Sequence, residues 1–323
     1  SLSGGHFPVE LKFAGYDALI VEGKAEKPVY LWIHNQDAEI REATEFWGLQ
    51  TLDTQLMIKD RLNQLQARVA CIGPAGENLV RYACIVNEMR AAGRKGLGAV
   101  MGSQKLKAIA VRGTEEVRCA DEARFKETLR KMHDSMKKSP ALYPSFSKLG
   151  TPMVVEDLVE LGILAAKNWS DTGLFTPVET LGGEAQEKYT ITRRSCYQCP
   201  VRCGQTRLVK GGPFAGFVSE GPEFETTYSL GNTVGVSYLP AVIAADRLCD
   251  EYGLDGISTG VVIAFAMELL ERGILSEEEL DGLNLRFGNF NAMLKLIRKI
   301  AYREGVGNLL AEGVKRASEV IGK

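Results

Sequence analysis

The stretch "RSCYQCPVRCGQ", residues 194–205, places Cys196, Cys199 and Cys203 in a C-x2-C-x3-C run closed by a glycine. These spacings are close to those by which thiolates hold cubane iron–sulfur clusters, and Pro200 restrains the loop that presents them. Structural zinc is the competing reading. It usually pairs one C-x2-C with a second pair farther on, whereas here only Cys249 and no histidine follow Cys203. A cluster needs a fourth ligand, so the question of where that ligand lies governs the reading of the whole chain.

Composition narrows the field. The chain has 323 residues, 45% hydrophobic and 25% charged, with a formal charge of -2. There is neither the basic excess of a nucleic-acid binder nor the like-charge blocks of a disordered tail, so small molecules or proteins are the expected partners. The longest apolar run, residues 260–267, is broken by Glu268 well short of a bilayer span. The chain opens "SLSGGHF" with no positive n-region or apolar h-region. Of seven cysteines, Cys71, Cys84, Cys119 and Cys249 stand alone in apolar or mixed stretches and read as reduced core residues, which implies a reducing, cytoplasmic compartment.

The texture changes along the chain and predicts an α+β fold. As far as about Val117 it is β-rich: "DALIVEG", "PVYLWIH", "RVACIGPAG", "VRYACIVNE" and "KAIAVRG" read as strands, interrupted by a helix from about Thr51 to Leu65 with Leu52, Leu56, Ile58 and Leu62 near a helical spacing. Residues 1–117 are therefore assigned to a partial β-rich, cofactor-binding domain. Residues 118–323 are assigned to a mainly helical domain that carries the cysteine loop. Its first helix, "DEARFKETLRKMHDSMKK", aligns Phe125, Leu129 and Met132 in a stripe. The segment "LPAVIAADRLCDEYG" ends at Gly253, a natural left-handed stop, and "ISTGVVIAFAMELLERG" and "FNAMLKLIRKIAYREG" each close with glycine.

Three further motifs carry chemistry. "RAAGRKGLGAVMGSQKLKA", residues 90–108, interleaves Gly93, Gly96, Gly98 and Gly102 with Arg90, Arg94, Lys95, Lys105 and Lys107. Such a stretch is either an anion site or a flexible turn, and its glycine spacing departs from the dinucleotide fingerprint. In "DEYGLDG", Asp250 and Asp255 flank Gly253 and Leu254. They read as helix caps, or as acceptors for a donor-rich heterocycle such as a pterin. In "SEGPEFETTYSLG", Glu220, Glu223 and Glu225 precede a helix whose dipole accounts for acidic residues, with a general acid or base as the minority reading.

Taken in order, "ELKFAGYDALIVEGKAEKPVY", "IGPAGENLV", "RAAGR", "GAVMGS", "LKAIAV", "CYQCPVRCG", "EGPEFE" and "CDEYGLD" resemble the tungsten-containing aldehyde:ferredoxin oxidoreductase family over nearly the whole chain. The resemblance implies oxidation of aldehydes to carboxylic acids on a tungsten (or molybdenum) bis-pterin, with electrons passing through a [4Fe-4S] cluster to ferredoxin. It implies that Cys196, Cys199 and Cys203 are cluster ligands. Arg90 and Ala91, with Gly93 and Arg94 after them, fall where the family contacts the pterin and its magnesium-bridged phosphates. Asp250, Gly253, Leu254 and Asp255 match the first of two D-x-x-G-L motifs, and Glu225 matches an acidic residue near the metal. In the family the fourth cluster cysteine ends the second such motif, in a C-terminal domain, so the chain reads as part of a longer enzyme and that remainder as a partner. Leu2 stands where a magnesium-binding asparagine is expected, and Ala244 and Arg247 replace an E-x-x-H pair that binds an inter-subunit iron. Related subunits that reduce aromatic acyl-CoA thioesters, and a non-catalytic metal-binding fragment, are the alternative readings.

Overall fold

The computed structural model describes residues 1–172 and 178–322. Its first part is built on a six-stranded mixed sheet: β1 (Val29–His34), β2 (Asp37–Glu42), β3 (Arg68–Cys71), β4 (Ile85–Asn87), β5 (Arg90–Ala92) and β6 (Leu106–Arg112), in the order β2-β1-β6-β3-β4-β5. β6 is central, parallel to β1 and antiparallel to β3. Both faces are covered, which is why "LKAIAV" reads as a near-continuous apolar run rather than an alternating one.

Several expectations change on contact with the structure. "DALIVEG" forms no strand: β2 already holds that edge of the sheet, and Ile20 is 87% exposed. The helix Thr51–Arg61 buries Thr51, Thr54, Gln55 and Ile58, while Leu56 points to solvent. Apart from Ile58, its inner face is polar because it hydrogen-bonds to backbone of the neighbouring sheet and of helix Leu239–Tyr252. Gln55 donates to the Glu88 carbonyl (3.1 Å), and Thr51 donates to the Asp250 carbonyl (2.8 Å).

The basic, glycine-rich motif divides by function. Gly98 and Gly102 lie in the helix Leu97–Ser103, which presses on Pro74–Glu77 so closely that a Cβ on Gly102 would overlap the Gly76 carbonyl oxygen. Lys107 is wholly buried and paired with Glu77, so it is a core cation and no part of an anion site. Gly102→Ala is expected to lower stability by about 1–3 kcal/mol through overpacking against backbone, read as a lower urea midpoint; an unchanged midpoint would show that the two helices can separate freely.

The rest is mainly helical, with a two-stranded piece β7 (Ala165–Ala166) and β8 (Asp171–Thr172). A three-stranded antiparallel sheet follows, β9 (Thr190–Arg194), β10 (Gly204–Leu208) and β11 (Val218–Glu220), in the order β11-β10-β9. Helices Leu239–Tyr252, Gly256–Glu271 and Phe290–Tyr302 supply the largest core. Gly253 closes the first in the left-handed conformation, at φ 72°. The third departs from expectation: Arg303, not a glycine, takes the left-handed position. Its guanidinium is held by the carbonyls of Asn78 and Leu79 and by Glu312, which stabilises the unusual backbone.

Helix Glu122–Lys138 is capped by Asp121, whose carboxylate accepts from the Arg124 amide (2.9 Å). The Phe125, Leu129 and Met132 stripe covers no core among the described residues. Cys71, Cys84 and Cys249 are buried as expected, but Cys119 is exposed in the irregular stretch before that helix, which gives it nothing to pack against.

No helix among the described residues is long and apolar enough to cross a membrane.

Candidate metallopterin and thiolate site

The sheet and the helices are joined at the site. The turn after helix Leu239–Tyr252 runs antiparallel to residues 82–84: the Cys84 amide donates to the Gly253 carbonyl (2.8 Å), and the Asp255 amide donates to the Tyr82 carbonyl (3.0 Å). Gly73 and Gly253 meet backbone to backbone, where a Cβ on Gly73 would fall 2.5 Å from the Tyr252 carbonyl group. This closure swings the "DEYGLDG" turn over the β5 end of the sheet.

A cleft of about 460 Å³ results, lined by Ala91, Gly93, Arg94, Asp250, Leu254 and Asp255 together with Ser1, Leu2, Asp246 and Cys249. Two motifs about 160 residues apart in sequence thus share one site, and Gly253 lies behind it as the hinge of the turn. Asp255 is the helix cap that the sequence predicts, accepting from the Ile257 amide (3.1 Å) and the Ser258 hydroxyl (2.5 Å). It also faces Arg94 at 3.4 Å. Asp250 makes no side-chain hydrogen bond among the described residues. Burial, reinforced by the nearby Asp246, pushes its carboxyl well above the usual range. A half-buried acceptor that lines the cleft without a donor among the described residues is suited to a ligand that brings N–H groups. Nothing lies within 4 Å of a Cβ placed on Gly93, so a ligand can approach the backbone there.

The cysteine loop joins β9 to β10, with Gly204 paired to Arg194 at its base. All three thiols are half-buried. The Gly5 amide donates to Cys196 Sγ (3.3 Å), and a Cβ on Gly4 would crowd the same sulfur at 2.8 Å. The Cys199 amide donates to the Cys196 carbonyl (3.0 Å), turning the loop back on itself. Among the described residues no three His, Cys, Asp or Glu side chains converge tightly enough to hold a single metal ion. Burial, then Glu223, raises the Cys203 thiol, with Arg90 opposing.

Arg90 links the two regions. Its guanidinium lies 2.6 Å from Glu220 and 3.8 Å from Glu223. Burial works against its charge, yet the two carboxylates and the Cys196 and Cys203 thiols hold its pKa up. The pair passes directly over Gly204, where any side chain would collide with both groups. The next residue, Ala91, lines the cleft.

Of the three glutamates, Glu220 is thus an ion-pair partner and Glu223 accepts from Thr151. Glu225 is exposed, with no hydrogen bond or ion pair among the described residues. It lines a second cleft of about 680 Å³ with Arg90, Cys203, Phe146, Met153 and Phe224.

Sequence reasoning missed Asp246, a carboxylate in the middle of a helix whose first turns are apolar, four residues before Asp250. That spacing, which puts both acids on one helical face, was the available signal.

Comparison with known proteins agrees with this architecture. A family model of the aldehyde ferredoxin oxidoreductase N-terminal domain matches residues 1–113, and one of domains 2 and 3 matches residues 127–323. The chain belongs to the aldehyde ferredoxin oxidoreductase family. It is 44% identical over 322 residues to a tungsten-containing aldehyde ferredoxin oxidoreductase of Pyrococcus abyssi, covering 98% of this chain and 52% of that protein. It is 35% identical over 334 residues to an aliphatic sulfonate oxidoreductase, WOR-like subunit, of Pyrococcus furiosus, covering 98% of this chain and 53% of that protein. Among solved structures, the active site complex BamBC of benzoyl coenzyme A reductase with 1,5 dienoyl-CoA superposes with a TM-score of 0.87 at 34% identity, covering all of this chain and 50% of that one. The chain spans about half the length of the curated relatives it matches.

Proposed function

We propose that the chain forms the cofactor-holding part of a tungstopterin oxidoreductase that oxidises aldehydes to carboxylic acids and passes the electrons to ferredoxin. The observation that carries this reading is the assembly of Ala91, Gly93, Arg94, Asp250 and Asp255 in one cleft. Arg90 connects that cleft to the thiols of Cys196 and Cys203. The 44% identity to tungsten-containing aldehyde enzymes, against 35% and 34% for the sulfonate and acyl-CoA relatives, favours aldehydes as substrates.

In this reading Asp250 and Asp255 accept hydrogen bonds from the pterin ring, and Arg94 balances their charge. Ala91 and Gly93 present backbone to the phosphate end, where magnesium would bind. Cys196, Cys199 and Cys203 hold three corners of a [4Fe-4S] cluster. When bound, the tungsten centre supplies the two-electron chemistry and the cluster carries electrons singly. Glu225, free of other partners among the described residues, takes the proton released at the substrate. The apolar walls of its cleft, Phe146 and Phe224, limit water around the reacting group.

Glu225→Gln is expected to lower kcat by ~100-fold or more, the usual scale for loss of a general base, with tungsten and iron content unchanged. Full turnover by the Gln variant would remove Glu225 from that role. Elemental analysis of protein purified without oxygen tests the larger reading: tungsten and iron together support it, whereas zinc alone at the cysteine loop points to a non-catalytic metal module.

A further inference from the structure

Asp246 is the buried acid that the reading above leaves unused. It is 8% exposed, lies four residues before Asp250 in the same helix, and lines the same cleft. Its Oδ2 accepts from the Ser219 hydroxyl (2.5 Å). Gly221 packs over the carboxylate so closely that a Cβ there would lie 3.1 Å from Cγ. Arg207, itself buried, keeps its Nε without a partner among the described residues and spends its other nitrogens on the Pro222 carbonyl (3.3 Å) and the Gln205 side chain (2.7 Å).

We propose that Asp246 is a third pterin-binding carboxylate, anchored by Ser219 and aimed with Asp250 at the donor edge of the cofactor. This rests on the cleft being the pterin site. The physical argument is one of unmet acceptors. A carboxylate has about four lone-pair positions, and Ser219 fills one of those on Asp246. Asp250 has none filled by a side chain. Asp255 already accepts from Ile257 and Ser258 and faces Arg94, so it has fewer free positions than either of the other two. An acceptor surplus of this kind, in a cleft whose lining cations among the described residues are Arg94 and Lys95, favours a donor-rich occupant. Burial raises the Asp246 carboxyl to about 6, against the pull of Ser219 and Arg207. Were the role only to fasten β11 to the helix, the Ser219 bond would suffice and the carboxylate would have no reason to border the cleft.

The test uses the cofactor-loaded protein and its cofactor-stripped form. Asp246→Asn keeps the shape and can still accept from Ser219, but it carries no charge and presents one oxygen instead of two. The variant is expected to release pterin, followed by fluorescence of the oxidised ring, at least ~10-fold faster than the native protein. The Tm gap between loaded and stripped forms should shrink by linkage, with iron content unchanged. A purely structural role would lower both Tm values equally and leave the release rate alone, which overturns the proposal. Should the Asn variant fail to fold, Asp246→Glu, which keeps the charge but moves the carboxylate, must show the same faster release; native release from it overturns the proposal. Native protein that carries tungsten or molybdenum but releases equally fast from the Asn variant refutes Asp246 alone. Native protein with no pterin refutes the cleft assignment as well.

Discussion

Cys203→Ser is expected to strip the proposed iron–sulfur centre from the protein. Cys203 sits at the junction of the loop with β10, between Cys199 on the loop and Gly204 beneath the Arg90–Glu220 pair. Serine keeps the volume but replaces a soft thiolate by an alcohol that does not ionise at neutral pH, so one corner of the cluster is lost. Removing a hydrogen-bonding neighbour of a metal ligand already costs ~10–100-fold in affinity or activity, and loss of a ligand should exceed the upper figure. Iron would fall from roughly four per chain toward zero, and under the proposed function electron transfer to ferredoxin would fall with it. Pterin content should stay near native, because Asp250, Asp255 and Arg94 line their cleft from other elements. Cys119→Ser is the matched control: that thiol is exposed and far along the chain from the loop, so iron should be unaffected. Native iron in the Cys203 variant would refute the ligand assignment. Zinc in the native protein, lost in this variant, would turn the loop into a structural zinc site.

What the sequence could and could not disclose follows from where each signal originates. Strands β1 and β6 and helix Leu239–Tyr252 were legible because burial on both faces, or on most of a helix, leaves dense apolar runs. Gly253 was legible because few other residues take its backbone conformation. "DALIVEG" has the same composition as a strand, but strand formation also needs an open edge, and sequence does not show that β2 occupies it. Lys107 reads as one more cation in a basic run, yet its place on the central strand puts it in the core. The approach of Glu77 from a separate helix, with the Leu49 carbonyl, makes that tolerable. The cleft was partly legible: its acids and glycines were named from local pattern, while the pairing of Arg90 with Glu220 across Gly204 joins three segments and leaves no local trace. Asp246 was hidden for a related reason. The residues before it on the helix are apolar, and its donor, Ser219, comes from β11.

Lys107→Met is expected to cost about 3–5 kcal/mol at neutral pH, the usual loss when one partner of a buried ion pair is removed. Lys107 Nζ donates to the Leu49 carbonyl (2.9 Å) and pairs with Glu77, whose side chain is 5% exposed. Methionine matches the length of the stem, so packing changes little, and the loss is electrostatic. Glu77 keeps only the Gly48 amide, at 2.8 Å. Even in the native protein burial raises the Glu77 carboxyl, with Lys107 and then Gly48 opposing. Without the lysine, burial acts with less opposition and the folded pKa climbs further. A carboxyl whose folded pKa lies above its unfolded value, about 4.3, folds better when neutral. The variant should therefore regain stability relative to native protein as pH falls from 7 through the raised folded pKa, with the gain complete below the unfolded value. Urea midpoints at pH 7 and pH 5 for both proteins measure this difference, and Lys107→Met combined with Glu77→Gln should recover much of the loss at pH 7. A single variant as stable as native at pH 7, or one whose deficit widens on acidification, would mean that Glu77 reaches solvent and that the pair lies outside the core.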